Sequence, residues 1–378
     1  MIYLDYQATT PLDDEVADLV DSAGRRFWAN PSSPHMAGMR SQEAIEGARR
    51  KMVRLLGCRP RELFFTSGAT EANNWAISMV KASQEHHIIT TAIEHKSMLD
   101  ACRAFQRGGG DLTVLPVDNN GFVNPTEVKR AIKPTTRLVS VMAANNEIGS
   151  VQPIADIALV TGEAGVPLHS DATQAIGYLI EDITQYPADL VSFSSHKLYG
   201  PKGIGALYIS DKFQTSNKGV PSLLHGGGQE GGKRPGTQNL PAIVGFAKAL
   251  ELSRAALTDE RSRVKQLKSM FLDLLLSHHP DIMTNSPQEL CLPNCLNIRI
   301  PGLDAGELMS AVPHVAISAG SACNSNDQQP SHVLMAIGLS AAEARSSLRI
   351  GFGRTTTPEE TRDAALAISA AVSLMKAS

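Results

Sequence analysis

The sequence predicts an α/β protein: a mainly parallel seven-stranded sheet with helices on both faces, joined to a smaller α+β domain. Three observations carry this expectation. Short apolar runs alternate with helix-like segments at 63–65, 87–91, 112–117, 138–142, 166–169, 190–193 and 204–209. A Pro/Gly-rich stretch, HGGGQEGGKRPGT, ends the alternation. A long helical stretch from Pro241 to about His278 then leads into a second set of strands and helices. At 378 residues the chain exceeds one typical core, so a large domain at 12–255 and a small one built from 1–11 and 256–378 are expected.

The elements follow in chain order. IYLDYQATTPL reads as a short extended segment that turns at Pro11. Asp13 can cap a helix reaching Arg26, because Val16, Leu19, Val20 and Phe27 keep helical spacing. WANPSSPHMAG is a loop, and residues 41–56 form an amphipathic helix ended by Gly57. The second unit is built from the CLNIRI run, a helix near Gly306, the HVAIS run and a final helix over 358–376.

The charge balance, 35 Lys and Arg against 38 Asp and Glu, leaves no electrostatic footprint for nucleic acid or a membrane surface. The Arg49, Arg50, Lys51, Arg54 cluster reads as a solvated helix face. No apolar run approaches the ~20 residues of a membrane span, and the N-terminus lacks a basic n-region and signal core, so a cytoplasmic protein is expected. The five scattered cysteines fit free thiols in a reducing compartment. Cys291 and Cys295 have no second close pair and no matched histidines, so no metal is expected there.

In parallel sheets ligands collect at the carboxyl ends of the strands, and the residues after each run carry chemistry. Thr66-Ser67-Gly68-Ala69-Thr70-Glu71 leads small residues into a helix start, either a phosphate nest or an ordinary cap. His95 follows the second run. Asn145-Asn146 follows the fourth, either binding a planar ligand or only making a turn. Asp171 ends the fifth, with Gln174 one short turn beyond. The sixth ends in Ser194, Ser195, His196 and Lys197, where desolvation favours a neutral, nucleophilic amine. Together these supply a phosphate site, a ring-sized imidazole, a carboxylate for a protonated nitrogen and an imine-forming lysine. Pyridoxal 5'-phosphate requires that set. In the second unit, Cys323 sits in the small, polar loop SAGSACNSNDQQP, either a nucleophile or an incidental thiol. Arg349, in SSLRIGFGR, has the fork to grip a carboxylate, or forms a surface ion pair.

From YLDYQATTP through FTSGATEANN, EHKSMLD, NNEIGSVQPI, HSDATQAIG, SFSSHKLYGPKGIGALY, HGGGQE and SAGSAC to SSLRIGFGR, the chain resembles the cysteine desulfurases of the NifS/IscS type. These lie within the class V aminotransferase group of pyridoxal phosphate enzymes. The resemblance implies the type I fold of that group, a homodimer, and conversion of L-cysteine to L-alanine. By the same resemblance Lys197 holds the cofactor aldehyde, His95 stacks on its ring and assists proton transfer, Asp171 pairs with the ring nitrogen, and Gln174 bonds the ring hydroxyl. Ala69, Thr70, Ser194 and His196 hold the cofactor at its phosphate end, with Thr237 supplied by the partner subunit. Asn146, which also contacts the cofactor, and Arg349 fix the substrate carboxylate. Cys323 takes the sulfur as a persulfide for an acceptor protein, which serves iron-sulfur assembly or nucleic-acid thiolation. Without the thiol chemistry, the same lysine would serve another class V aminotransferase or lyase.

The chain departs from the family pattern at Ser195, at Gly231 and Pro235 in the glycine-rich loop, and at Asn324 after the cysteine. It also ends at Ser378 without the longer tail that housekeeping members use to dock an iron-sulfur scaffold. A specialised acceptor is the resulting expectation.

Overall fold

Apolar, β-branched runs bounded by turn residues bury both faces of a sheet, and the strands that form here are the predicted ones with shifted ends. The computed structural model describes all residues except 82, 217–218, 320–328 and 378. Its strands are β1 (Ile2–Tyr3), β2 (Leu63–Thr66), β3 (His87–Thr91), β4 (Asp111–Leu115), β5 (Thr136–Ser140) and β6 (Leu168–Asp171). They continue with β7 (Leu190–Ser194), β8 (Gly205–Ile209), β9 (Met283–Thr284), β10 (Cys295–Arg299), β11 (Val315–Ala316) and β12 (Ser347–Gly351). The helices are α1 (Asp14–Arg26), α2 (Met36–Leu56), α3 (Ala69–Ser78), α4 (Lys96–Arg107), α5 (Pro125–Ala131) and α6 (Ile154–Glu163). They continue with α7 (Asp211–Ser216), α8 (Leu240–His278), α9 (Ala305–Ala311), α10 (His332–Ala336), α11 (Ala341–Arg345) and α12 (Pro358–Ala377).

The seven-stranded sheet has the order β2-β8-β7-β6-β5-β3-β4. Only β8 runs against its neighbours, pairing antiparallel with β2 and β7, while the remaining pairs are parallel. Strands β2, β3, β6, β7 and β8 are buried along their whole length, whereas the edge strand β4 is largely open. Residues that leave the carboxyl ends of β2, β3, β5, β6 and β7 therefore emerge on one edge.

Helix α8 links two hydrophobic cores. Its first half packs Leu240, Ile243, Phe246 and Leu250 under the large sheet. Its second half packs Val264, Leu267, Phe271 and Leu275 against β10, β12 and α12. At 1.5 Å per residue the helix spans about 58 Å, long enough to serve both. In the second unit, β10 pairs antiparallel with β12 and β9. The N-terminal segment joins this unit, because β1 pairs in parallel with β11.

Several boundaries differ from expectation; β5, for example, runs over Thr136–Ser140 and not 138–142. Helix α2 begins at Met36, not at 41, because His35 Nδ1 accepts the Gly38 N–H at 3.2 Å and starts the helix early. Strand β6 is displaced toward its carboxyl end and includes Asp171, with its carbonyl bonded by Ala143 N–H at 2.8 Å.

Candidate active site

Lys197 occupies a turn that its neighbours leave little room to change. Strand β7 ends at Ser194 and passes into a 3-10 turn over Ser195–Lys197, closed by Leu198 N–H on the Ser195 carbonyl at 2.8 Å. Gly200 is required here, since a Cβ at that position would overlap Ser195 Oγ. Gly205 is required too, because its Cβ would lie 2.7 Å from Gly68 Cα, where β8 passes the loop before α3. Lys197 Nζ donates to the carbonyls of Gln7 and Ala8, the latter at 2.8 Å. Thr10 binds the His196 carbonyl through both its N–H and its hydroxyl, each at 3.0 Å. The N-terminal segment thus forms one wall of the site.

A cavity of about 510 Å³ opens at this point. It brings together Ala69, Thr70, His95, Asn146 and Asp171 with Gln174, Ser194, His196, Lys197 and Arg349. Thr237 is exposed and does not line it. Cys323 lies outside the described residues.

At one end of the cavity, α3 starts at Gly68 with no side-chain cap, leaving its first amides for an anion. Glu71 stands in the first turn, where a carboxylate would compete for those amides. It is held elsewhere: Arg234 grips it at 2.7 and 2.9 Å, and Ser67 N–H donates to it at 2.8 Å. Burial works to raise the Glu71 pKa, but these bonds overcome it and hold the carboxyl below its usual range. His196 Nδ1 meets Thr9 Oγ1 at 3.2 Å. Burial, aided by Lys197 and Lys202, pushes its pKa down to about 4, so the imidazole is neutral at pH 7.

At the other end, Asp171 accepts Asn73 Nδ2 at 2.7 Å and Thr173 N–H at 3.0 Å. His95 caps α4, and its Nδ1 is committed to Ser97 N–H at 3.2 Å and Ser97 Oγ at 2.8 Å. Burial lowers the His95 pKa despite the nearby Asp171, so this ring is also neutral. Asn73 and Ser97, themselves bonded at 3.0 Å, were not singled out in the sequence. The available signal was the position of Asn73 in TSGATEANN, one helical turn beyond Thr70. Gln7 and Asp5 were also missed, since no local pattern announces that the N-terminal segment folds back here.

Arg349 lines the cavity but does not form the surface ion pair that is its other sequence reading. It forms an ion pair, but the pair is buried: its guanidinium meets Asp5 Oδ1 at 2.8 Å and the Asn146 carbonyl at 3.2 Å, with the side chain 2% exposed. Register explains this, because Arg349 lies in the centre of β12 opposite Asn297.

His169, between Ser140 Oγ at 2.8 Å and Ser192 Oγ at 2.9 Å, is pushed by burial to about 4. The folded protein therefore resists protonation at His169 and His196, whereas the unfolded chain takes protons there near pH 6.5. Glu94, raised to about 8 by burial, acts in the opposite sense above pH 4.5. The histidines outnumber it, since His87 and His95 are also lowered. Thermal melts of the apoprotein are expected to show Tm falling steadily from pH 6.5 toward 4. A flat or rising Tm would contradict these assignments.

The residues fit pyridoxal phosphate. An uncapped helix start and a buried carboxylate lie on one cavity with a lysine amine, and Gln7 Oε1 and Thr173 Oγ1 on its walls are buried without a hydrogen-bond partner among the described residues. Fold and pocket together define a pyridoxal phosphate-dependent enzyme. Residues 2–363 match the aminotransferase class-V family. The cysteine desulfurase of Pongo abelii is 42% identical over 363 residues, covering 95% of this chain and 79% of the relative. A mitochondrial cysteine desulfurase of Arabidopsis thaliana is 40% identical, covering 95% and 80%. Among solved structures, a NifS-like protein matches with TM-score 0.91 and 34% identity over 99% of both chains. SspA in complex with cysteine matches with TM-score 0.81 and 36% identity over 94% of this chain and 100% of that one. The chain belongs to the aminotransferase class-V family and, within it, to the cysteine desulfurases.

Proposed function

We propose that this protein converts L-cysteine to L-alanine and passes the sulfur through Cys323 to an acceptor protein. The observation that carries the reading is the placement of Lys197 Nζ, Asp171 and the uncapped α3 start on one cavity. When bound, pyridoxal phosphate supplies an electron sink for charge developing on the substrate carbons. The amides at Ala69 and Thr70, with Ser194 and His196, would hold its phosphate. Asp171 would hold the ring nitrogen, Gln174 the ring hydroxyl, His95 the ring face and Lys197 the aldehyde.

The remaining steps belong to the chain. Asn146 and Arg349 orient the substrate carboxylate, and Asp5 tempers the Arg349 charge so that the acid is positioned without being trapped. Lys197 Nζ moves protons on the substrate, and neutral His95 assists as an acceptor. The Cys323 thiolate attacks the substrate sulfur. An S–S bond forms, the C–S bond breaks with its electron pair left on carbon, and that carbon takes a proton to become the methyl group of alanine. The persulfide on Cys323 then serves an iron-sulfur scaffold or a nucleic-acid thiolation protein.

The exposed position of Thr237 outside its own cavity supports a homodimer in which the partner subunit receives it. The separate hydrophobic cores at the two ends of α8 support a division into a large domain at 12–255 and a small domain of 1–11 and 256–378, although Leu292 and Cys295 pack in the large core. No helix among the described residues is long and apolar enough to cross a membrane. We assign the protein to the cytoplasm and expect it to bind neither nucleic acid nor membrane directly.

Incubating the purified protein with pyridoxal phosphate, L-cysteine and a thiol reductant should yield alanine and sulfide in equal amounts. Amino transfer to a keto acid without sulfide would instead support a thiol-independent class V enzyme.

A further inference from the structure

Two residues beyond Lys197, Tyr199 holds a left-handed backbone, with φ at 61°, which a residue bearing a Cβ rarely adopts. Its surroundings compel this conformation. On the backbone side, Tyr199 N–H donates to Thr10 Oγ1 at 2.8 Å, and its carbonyl accepts Asp13 N–H at 3.0 Å. On the side-chain side, the phenol is held in both of its roles. It accepts the Arg354 N–H at 2.6 Å and donates to Glu260 Oε1 at 3.1 Å.

Glu260, on α8, is 7% exposed and would be costly to bury without partners. It has three. Tyr178 OH donates to Oε1 at 2.8 Å alongside Tyr199, and Arg354 Nε donates to Oε2 at 3.0 Å. The Arg354 guanidinium also lies 4.1 Å from the Tyr199 ring centroid and reaches Asp13 Oδ2 at 3.2 Å and Ser253 Oγ at 3.2 Å. Arg354 follows Arg349 by five positions on the segment leaving β12. The cluster thus joins the lysine turn, the long helix and the strand that carries the cavity arginine.

We propose that Tyr199 is a positioning residue for Lys197, and that Glu260 and Arg354 hold its phenol so that the lysine turn stays in register with the second unit. A network that merely stapled the two units together would need no strained residue beside the lysine. The strain falls at the position that sets the direction in which the chain leaves Lys197. Releasing the phenol lets that backbone relax toward negative φ and re-aims Nζ, which misplaces the amine without removing it.

This inference rests on Lys197 as the cofactor lysine, which borohydride reduction and peptide mapping of the unaltered holoenzyme test separately. The experiment is Tyr199→Phe in the holoenzyme, which keeps the ring and removes both phenol bonds. Glu260→Gln, which keeps an acceptor but not the charge, is the companion in case the first variant does not fold. Tyr199→Phe is expected to lower kcat about tenfold or more with KM for cysteine within about twofold. It should also shift the pH at which the visible band of the bound cofactor titrates. Glu260→Gln should shift the band in the same direction, and the double variant should match the larger single effect, as for groups acting as one unit. The proposal is overturned if either folded variant lowers Tm while leaving kcat and the titration unchanged, or if the two effects on kcat simply multiply.

Discussion

Cys323→Ala is expected to cut alanine formation from L-cysteine by at least about 10³-fold, or about 4 kcal/mol of transition-state stabilisation, with the cofactor still bound. The size of the effect follows from the other thiols. Burial pushes Cys58, Cys102 and Cys295 each up to about 12, and it raises Cys291 as well. At neutral pH these sulfurs are almost wholly protonated, and none can act in place of the missing thiolate. Cys323→Ser should fail equally, since a hydroxyl is far less ionised. Sulfide and alanine assays alongside the visible spectrum check both points. Sulfide release at the unaltered rate would remove Cys323 from the reaction.

Lys197→Ala is expected to lower kcat by about 10³-fold and to abolish the visible band of the lysine-bound cofactor. Nζ lies in the cavity, held by the Gln7 and Ala8 carbonyls, and in the proposed reaction its loss would remove both the covalent anchor and the proton carrier. Lys197→Arg should not rescue, because a guanidinium does not surrender its proton near neutrality and cannot form the bond. A small soluble amine should restore part of the Lys197→Ala rate by occupying the vacated volume. An unchanged spectrum in Lys197→Ala would place the cofactor bond elsewhere.

The sheet was legible because its strands are short, apolar and separated by helices, so local periodicity and fold agree. For the same reason the residues after each strand could be read as one site: Ala69, Thr70, His95, Asp171, Ser194 and Lys197 all reach one cavity by following their strands. What could not be read depends on distant parts of the chain. Nothing local tells that Asp5 will neutralise Arg349 across 344 positions, or that Gln7 will face Lys197. The early start of α2 was hidden because His35, an uncommon cap, does the work usually given to Ser or Asp. The strained Tyr199 was hidden because tyrosine carries no signature for positive φ.

The central claim is that sulfur leaves cysteine for Cys323. The most direct test is peptide mass spectrometry of the holoenzyme, alkylated without reductant after brief turnover of sulfur-labelled L-cysteine. The account predicts one labelled sulfur atom on the peptide containing Cys323, removed by dithiothreitol, and none on the peptides of Cys58, Cys102, Cys291 or Cys295. Alanine formation with no label on Cys323, or label on another cysteine in its place, would contradict it.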